Sequence, residues 1–167
     1  GKLFNGGLLG GTEFGHTVVQ VGGVRCTCGR EGCLESYASA TGLIRMAREQ
    51  MDKHPDSLLW KLCDGDKSKV NAELAFKASD EKDEAGMLAV QEYMKYLAAG
   101  VANAINMFRP EVVVLGGGIS NRGEKLAAEL NEMVKGECFG HTFVKPAEVV
   151  IASLKNDAGI IGAAELC

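Results

Sequence analysis

Apolar positions recur in two different rhythms along the 167-residue chain. Between residues 35 and 51, and again between 80 and 108, they return every three or four residues, which is typical of amphipathic helices. Two runs, Val112–Leu115 and Val149–Ala152, are instead continuous, as in strands that are buried on both faces of a sheet. A helical pattern from about residue 122 to 134 separates these runs. The alternation of strand and helix predicts a parallel α/β sheet.

Shorter patterns predict the remaining elements. The β-branched run Thr17–Val21 favours a strand, and the apolar residues near Lys2–Phe4 indicate another. Residues 72–77 predict a short helix, and a last helix is expected from Ile160 to Leu166. Pro55 marks the end of the first long helical pattern, because the residue before a proline is biased away from helical geometry.

Composition narrows the class of protein. The chain is 46% hydrophobic and 24% charged, which is ordinary for a globular domain. Its net charge of −4 and the lack of a basic cluster argue against a nucleic-acid partner. No apolar run approaches the length of a membrane span, and no signal peptide is recognisable, so we expect a cytoplasmic protein without a membrane partner. Because the first residue is Gly1 rather than Met, we also expect a fragment of a longer protein.

The strongest chemical signal is a histidine followed by a CxCGxxGC segment. Three cysteines and one histidine at this spacing can close a tetrahedral zinc site. Gly29 and Gly32 let the chain turn tightly around a small ion. The predicted zinc ligands are His16, Cys26, Cys28 and Cys33.

A disulfide is the alternative to zinc for these cysteines. Cys26 and Cys28 are too close in sequence to pair comfortably with each other, and secreted disulfide scaffolds are shorter and denser in cysteine. Cys63, Cys138 and Cys167 show no partner spacing and indicate buried or incidental thiols of a reducing compartment. The sequence therefore favours zinc.

Carboxylates lie on both sides of the predicted zinc loop. Glu13 precedes His16 by three residues, and Glu35 follows Cys33 by two. Each carboxylate can accept two hydroxyl hydrogen bonds, so the pair suits a polyhydroxylated ligand. The alternatives are that Glu13 is a surface carboxylate and that Glu35 only starts a helix, where its charge suits the dipole.

Two turns follow the predicted strands. Gly116, Gly117 and Gly118 connect a strand to a helix, as in many phosphate or nucleoside sites, but a tight structural turn accounts for them as well. Asp157 lies at the other turn, where capping of the last helix is the favoured role. Lys155 lies beside it and has a possible charge role there.

Together these motifs resemble the ROK family of sugar kinases and repressors. The similarity lies in Glu13–His16 and Cys26–Glu35, and it continues through Tyr37–Ala40, Val112–Ser120 and Asn156–Ala164. Among ROK proteins, the segments are most similar to those of the glucokinases. The resemblance implies the actin-like ATPase (ribonuclease H-like) fold, an α/β fold of two domains.

By this resemblance, residues 1–167 are the C-terminal domain with an inserted zinc loop at 16–35, and the N-terminal domain is absent. The family's DxGxT phosphate loop, its GTG-type second loop and its catalytic Asp have no counterpart in this sequence. The chain alone is therefore expected to be inactive and to supply no catalytic residue.

The resemblance also implies a role for each site residue. His16, Cys26, Cys28 and Cys33 would hold a structural zinc ion, and Glu13, His16 and Glu35 would contact the hydroxyls of a hexose, with glucose expected. Gly116, Gly117 and Gly118 would line the adenosine site for ATP, which acts with Mg²⁺ in the parent enzyme. Lys155 stands where such kinases often have glycine.

The same resemblance leaves three alternative functions open for the parent protein, and it is accompanied by an expectation about its oligomeric state. The parent could be a sugar-sensing ROK repressor, or a kinase for N-acetylmannosamine or for fructose. A homodimer or homo-oligomer is expected. The strand preceding Gly1 would pair between Lys2–Phe4 and Val112–Leu115, so its absence would leave exposed apolar surface and open strand edges.

Overall fold

The structure is a computed structural model that describes Phe4, Gly6, Gly7 and residues 10–165. The chain forms two compact units, Gly1–Tyr96 and Leu97–Cys167. In the part of the chain described, none of the helices combines the length and hydrophobicity that crossing a membrane requires.

The first unit is helical beyond an irregular N-terminal loop. Its core is formed by side chains that are almost completely buried, among them Leu43, Met46 and Leu59. Cys63 is buried here too, as predicted. The helices are α1 (Glu35–Ala38), α2 (Ala40–Lys53), α3 (Leu58–Leu62), α4 (Ala72–Asp80) and α5 (Glu84–Phe108), the last of which continues into the second unit.

The helix predicted from residue 35 to 51 is divided at Ser39. This residue has an extended backbone, and its hydroxyl oxygen accepts a hydrogen bond from the N–H of Gly42 at 3.2 Å. Ser39 thus acts as the N-cap of α2, since a capping serine satisfies an N–H group that has no partner within the helix. The apolar spacing continues across the break, which is why the pattern alone did not reveal it.

The strand predicted at Thr17–Val21 is wrong. Only Val18 forms a bridge, an isolated antiparallel one to Cys33, and the residues after it bend and turn. Gly22, with φ of +68°, turns the chain where a strand would have to continue. The local preference of β-branched residues is overridden here by the turns of the loop.

Asp83 joins the start of α5 to the start of α3. Its carboxylate accepts hydrogen bonds from the Ser57 hydroxyl at 2.8 Å and from the N–H groups of Leu58 at 2.8 Å and Gly86 at 2.9 Å. Partial burial raises the pKa of Asp83, but the donors of Gly86, Leu58 and Ser57 together outweigh it and hold that pKa below its ordinary value. The ionised form therefore stabilises the fold.

Replacing Asp83 with asparagine should reduce stability more at pH 6 than at pH 2.5. Because its folded-state pKa is lowered from 3.8, the contribution of Asp83 is complete above that pH and is lost as the pH falls through the folded value. Denaturant unfolding at both pH values measures this, with the exposed Glu81→Gln as the charge-matched control. An equal loss at both pH values would contradict the assignment.

The second unit contains a parallel pair of strands, as predicted. β1 (Val112–Leu115) pairs with β2 (Glu148–Ile151) in a register that sets Val112 opposite Glu148 and Leu115 opposite Ile151. Among the described residues these strands form a two-stranded sheet. The helices are α6 (Glu124–Lys135) and α7 (Ala158–Ala164), and α6 packs against β2.

Asn131 attaches α6 to β2 through the backbone. Its side-chain oxygen accepts a hydrogen bond from the N–H of Val149 at 2.9 Å, and its amide donates to the Val149 carbonyl at 2.8 Å. This pairing occupies both backbone groups of a strand residue as a neighbouring strand would. The side of β2 that bears these groups is therefore closed by α6.

Both strands were predicted to be buried, but β2 is buried only at Val149 and β1 has no buried residue. Val149 of β2 is 1% exposed, whereas Val112 and Val114 of β1 are 45% and 57% exposed. Exposed apolar surface is thus present at β1. The predicted pairing with Lys2–Phe4 falls mostly outside the described residues, and Phe4 itself lies in no strand. Association through this surface stays a prediction.

Candidate functional site

The loop between His16 and Glu35 is held by backbone hydrogen bonds between its two arms. The N–H of Val19 donates to the Gly32 carbonyl, and that of Gly32 donates to the Val24 carbonyl, both at 2.8 Å. A second isolated bridge joins Arg25 to Glu31 nearer the tip. These contacts fold the segment into a narrow hairpin-like loop without a regular strand.

The loop gathers the four predicted ligands into one cluster. Their ligand atoms all lie within 4.8 Å of one another. The Cys26 sulfur lies 3.6 Å from Nδ1 of His16, and the sulfurs of Cys28 and Cys33 are 3.7 Å apart. Cys26 and Cys33 are buried, whereas Cys28 is exposed. This group can hold a metal ion.

Without a metal ion, the thiols of Cys26 and Cys33 have pKa values shifted in opposite directions. The backbone N–H of Cys28 is the largest influence on Cys26 and lowers the pKa of that thiol to about 6. Burial raises the pKa of Cys33 to about 11. A bound cation must displace a firmly held proton from Cys33, so metal binding by this site weakens as the pH falls.

His16 faces two different groups with its two ring nitrogens. Nδ1 lies toward the cysteine sulfurs, and Nε2 lies 3.9 Å from a carboxylate oxygen of Glu13. The side chain of Glu13 is 76% exposed and that of His16 is 29% exposed. The imidazole therefore connects the buried ligand cluster to a solvent-accessible carboxylate.

Glu35 reaches the same place from α1. A Cβ placed on Gly15 would lie 3.5 Å from Cβ and 3.6 Å from Oε2 of Glu35, so this carboxylate lies over the backbone between Glu13 and His16. The structure thus brings all three predicted hexose-binding residues together at one edge of the loop. Two acids and an imidazole that is oriented by its other nitrogen can accept from and donate to several hydroxyl groups.

One contact at this site was missed by the sequence reasoning. A guanidinium nitrogen of Arg30 donates a hydrogen bond to the backbone carbonyl of His16 at 3.2 Å. This bond links the tip of the loop to the residue that bears the imidazole. The sequence shows an arginine between the two glycines of the motif, but it does not indicate that the hydrogen-bond acceptor of this arginine is the His16 carbonyl.

The glycine turn after β1 has the conformation that the motif predicts. Gly117 has φ of +75°, and the Ser120 hydroxyl donates to its carbonyl at 2.6 Å. No atoms beyond the adjacent residues lie within 4 Å of a Cβ built on Gly117 or Gly118. The turn therefore leaves backbone accessible, and its proposed contact with adenosine stays a prediction.

Asp157, in the turn after β2, was predicted to cap the last helix with its side chain, and it does not. The residue occupies the N-cap position of α7, but its side chain accepts no capping hydrogen bond. Its backbone is already helical because the chain enters α7 from a 3₁₀ turn at Lys155–Asp157. Lys155 has φ of +48°, a left-handed conformation that favours glycine.

Gly32→Ala should destabilise the loop by about 1–3 kcal/mol more than Gly29→Ala, because of added overpacking. Both glycines have positive φ, +78° and +91°. A Cβ at Gly32 would lie 1.7 Å from the Gln20 carbonyl oxygen, whereas one at Gly29 meets nothing within 4 Å. Thermal unfolding measures the difference, and equal losses would show that the two arms do not approach as described.

Comparison with known proteins gives consistent matches over nearly the whole chain. The model of the ROK family matches residues 1–167. A glucokinase of Thermotoga maritima is 42% identical over 156 residues, which cover 93% of this chain and 49% of that protein. A xylose repressor of Caldicellulosiruptor bescii is 28% identical over 163 residues, covering 96% of this chain and 40% of the repressor.

Among solved structures, a ROK family glucokinase from Streptomyces griseus in complex with glucose and AMPPNP matches with a TM-score of 0.91. It is 30% identical, and the match covers 99% of this chain and 54% of that one. The chain thus spans about half the length of the relatives it matches.

Proposed function

The chain belongs to the ROK family, and from this premise we propose that it is the C-terminal domain of a cytoplasmic glucokinase. The complete protein would transfer the γ-phosphoryl group of ATP to the 6-hydroxyl of glucose. The fold is that of ROK sugar kinases. The observation that carries the proposal is a group of three side chains at the metal cluster. Glu13 lies 3.9 Å from one ring nitrogen of His16, the other ring nitrogen lies 3.6 Å from the Cys26 sulfur, and Glu35 lies over the backbone of Gly15 between them in sequence.

The metal held by the four ligands is zinc in this proposal. A tetrahedral zinc ion with bonds of about 2.3 Å to sulfur and about 2.05 Å to nitrogen requires S···S edges of about 3.8 Å and N···S edges of about 3.6 Å. The distances of 3.7 Å between Cys28 and Cys33 and of 3.6 Å between Cys26 and His16 agree with these values, and the wider separations in the cluster, which reach up to 4.8 Å, would contract around the ion. When bound, zinc would serve as a structural ion, since four protein ligands leave no open position.

The hexose is bound by hydroxyl hydrogen bonds. Because Nδ1 of His16 faces the metal ligands and must be free of a proton to bind the ion, the proton of the neutral imidazole lies on Nε2. Nε2 can then donate a hydrogen bond to a sugar oxygen. Glu13 and Glu35 accept from hydroxyl groups, and such bonds to ionised acceptors are the stronger kind. These three side chains would fix the orientation of the sugar, while none of them is assigned a catalytic step.

The nucleotide is proposed to contact the glycine turn Gly116–Gly118 of the second unit. Its accessible backbone supports this role, because glycine allows the chain to approach a ligand closely. Mg²⁺ would accompany ATP and neutralise the phosphate charge. We assign no catalytic base to this chain.

The test is a coupled assay of the complete gene product with ATP, Mg²⁺ and each candidate hexose. ADP formation, coupled through pyruvate kinase and lactate dehydrogenase, compares the hexoses on one scale, and glucose-6-phosphate dehydrogenase then reports phosphorylation of glucose at its 6-hydroxyl. We expect turnover with glucose above that with N-acetylmannosamine or fructose, and none from residues 1–167 alone. Turnover by this chain alone would show that a catalytic residue has been missed, with Asp157 the first to examine.

A repressor is the second candidate, favoured by the match to the xylose repressor. The same carboxylates and imidazole would then sense a sugar rather than present it for reaction. Sugar binding by the complete protein without phosphorylation, together with sugar-dependent DNA binding, would support this alternative and contradict the kinase proposal.

A further inference from the structure

Tyr37 makes contacts with the metal-binding loop that the proposed function does not use. It lies on α1, two residues after Glu35, and is 4% exposed. Its hydroxyl oxygen accepts a hydrogen bond from the backbone N–H of Val24 at 2.7 Å. Val24 in turn precedes the ligand Cys26 by two residues. One buried side chain therefore joins the helix that carries a proposed hexose ligand to the arm that carries a metal ligand.

The loop is shaped to receive this hydroxyl group. A Cβ on Gly23 would lie 2.1 Å from the Tyr37 oxygen, so only a residue without a side chain allows the approach. The N–H of Gly23 also donates to the Gln20 carbonyl at 3.0 Å, which closes the turn around the phenol. The turn from Gln20 to Gly23 therefore places Gly23 where the Tyr37 hydroxyl can approach the backbone.

The ring of Tyr37 contacts two further side chains, Tyr96 and Arg45. It stacks on Tyr96 with ring centres 4.2 Å apart, and the guanidinium carbon of Arg45 lies 5.4 Å from its centre. The Tyr96 hydroxyl donates to the side-chain oxygen of Gln20 at 3.4 Å. Stacking and cation–π contacts of this kind fix the ring, so the hydroxyl oxygen is presented to the loop in a defined position.

The geometry points to Tyr37 as a positioning residue that keeps the metal-binding loop closed and so sets the rate at which bound metal is lost. The inference rests on the proposed zinc site. The loop needs such a contact because its two arms are joined by isolated bridges rather than by a regular sheet. Loss of the hydroxyl would leave the partly buried Val24 N–H without its acceptor, and a donor that has lost its partner favours opening of the loop, where water can replace that partner.

The test compares zinc release from the wild-type protein and from Tyr37→Phe, with a chromogenic chelator as the acceptor. We expect release to be about tenfold faster in the variant, because one partly buried hydrogen bond is lost. Tyr93→Phe is the matched control, since Tyr93 is 3% exposed and its hydroxyl donates at 3.3 Å to the carbonyl of Ala38, at the end of α1, rather than accepting from the loop backbone. Equal release from Tyr37→Phe and wild type would overturn the inference.

A double-mutant cycle provides the second measurement. Gly23→Ala should speed zinc release strongly alone and less when combined with Tyr37→Phe, because removal of the hydroxyl relieves one of the contacts of the added methyl group. Effects that multiply independently would contradict the direct contact. Wild-type protein that contains no zinc would instead contradict the proposed metal site, so the two failures are distinguishable.

Discussion

Replacing Cys33 with serine should abolish stable zinc binding and unfold the loop between His16 and Glu35. Cys33 is completely buried, and its sulfur lies 3.7 Å from that of Cys28. Structural four-ligand sites bind zinc with about 10–16 kcal/mol, so removal of one ligand should weaken binding on the order of 100-fold or more. Because isolated bridges rather than a regular sheet join the arms of this loop, we expect its folding to depend on the ion.

Metal analysis and thermal unfolding of protein purified without added metal measure the effect. The wild-type chain should contain one zinc ion, and a chelator should lower its unfolding temperature, whereas Cys33→Ser should contain little zinc and respond weakly to chelator. Cys63→Ser is the control, because Cys63 is equally buried but its sulfur contacts the Trp60 carbonyl at 3.6 Å rather than the cluster. Wild-type protein with reduced thiols and less than about a tenth of a zinc ion per chain would contradict a closed structural site.

The sequence predicts the strands of the second unit because each is formed by a continuous apolar run that can be recognised without knowing what packs against it. Val112–Leu115 was predicted within its exact bounds, and β2 within one residue at each end. The exposure of Val114 could not be predicted in the same way. A continuous apolar run indicates that both faces suit burial, but burial itself depends on which elements pack there.

For the metal-binding loop, the sequence predicts the ligands but not the path of the backbone. Its ligands were identified from spacing, because cysteines and a histidine at those intervals are typical of a metal site and unusual elsewhere. Its backbone was predicted wrongly at Thr17–Val21, since glycine turns and side-chain contacts decide its path. The Tyr37 hydroxyl is one such contact, and a single tyrosine after Glu35 gives no indication that its partner is the N–H of Val24.

Replacing both Glu13 and Glu35 with glutamine should nearly eliminate hexose binding while leaving zinc in place. The Glu13 carboxylate lies 3.9 Å from the imidazole of His16, Glu35 lies over the backbone of Gly15, and neither is a member of the metal cluster. Hydrogen bonds to charged groups contribute about 1.5–3 kcal/mol each, so a single substitution should weaken glucose binding roughly 10- to 100-fold. In the double variant, the fold-loss in glucose affinity should be roughly the product of the two single fold-losses, reduced by any coupling between the two sites.

Calorimetric titration of the complete protein with glucose measures binding without catalysis, and steady-state kinetics should show a raised KM for glucose with a smaller change in that for ATP. Glu31→Gln is the control, because Glu31 is an exposed carboxylate on the same loop that contributes a backbone bridge to Arg25. Glu31→Gln removes one negative charge from the same loop, as each single substitution does, and should leave both the glucose affinity and the KM for glucose unchanged. If the double variant retains zinc and binds glucose as tightly as the control does, Glu13 and Glu35 do not bind the sugar, and another surface must do so.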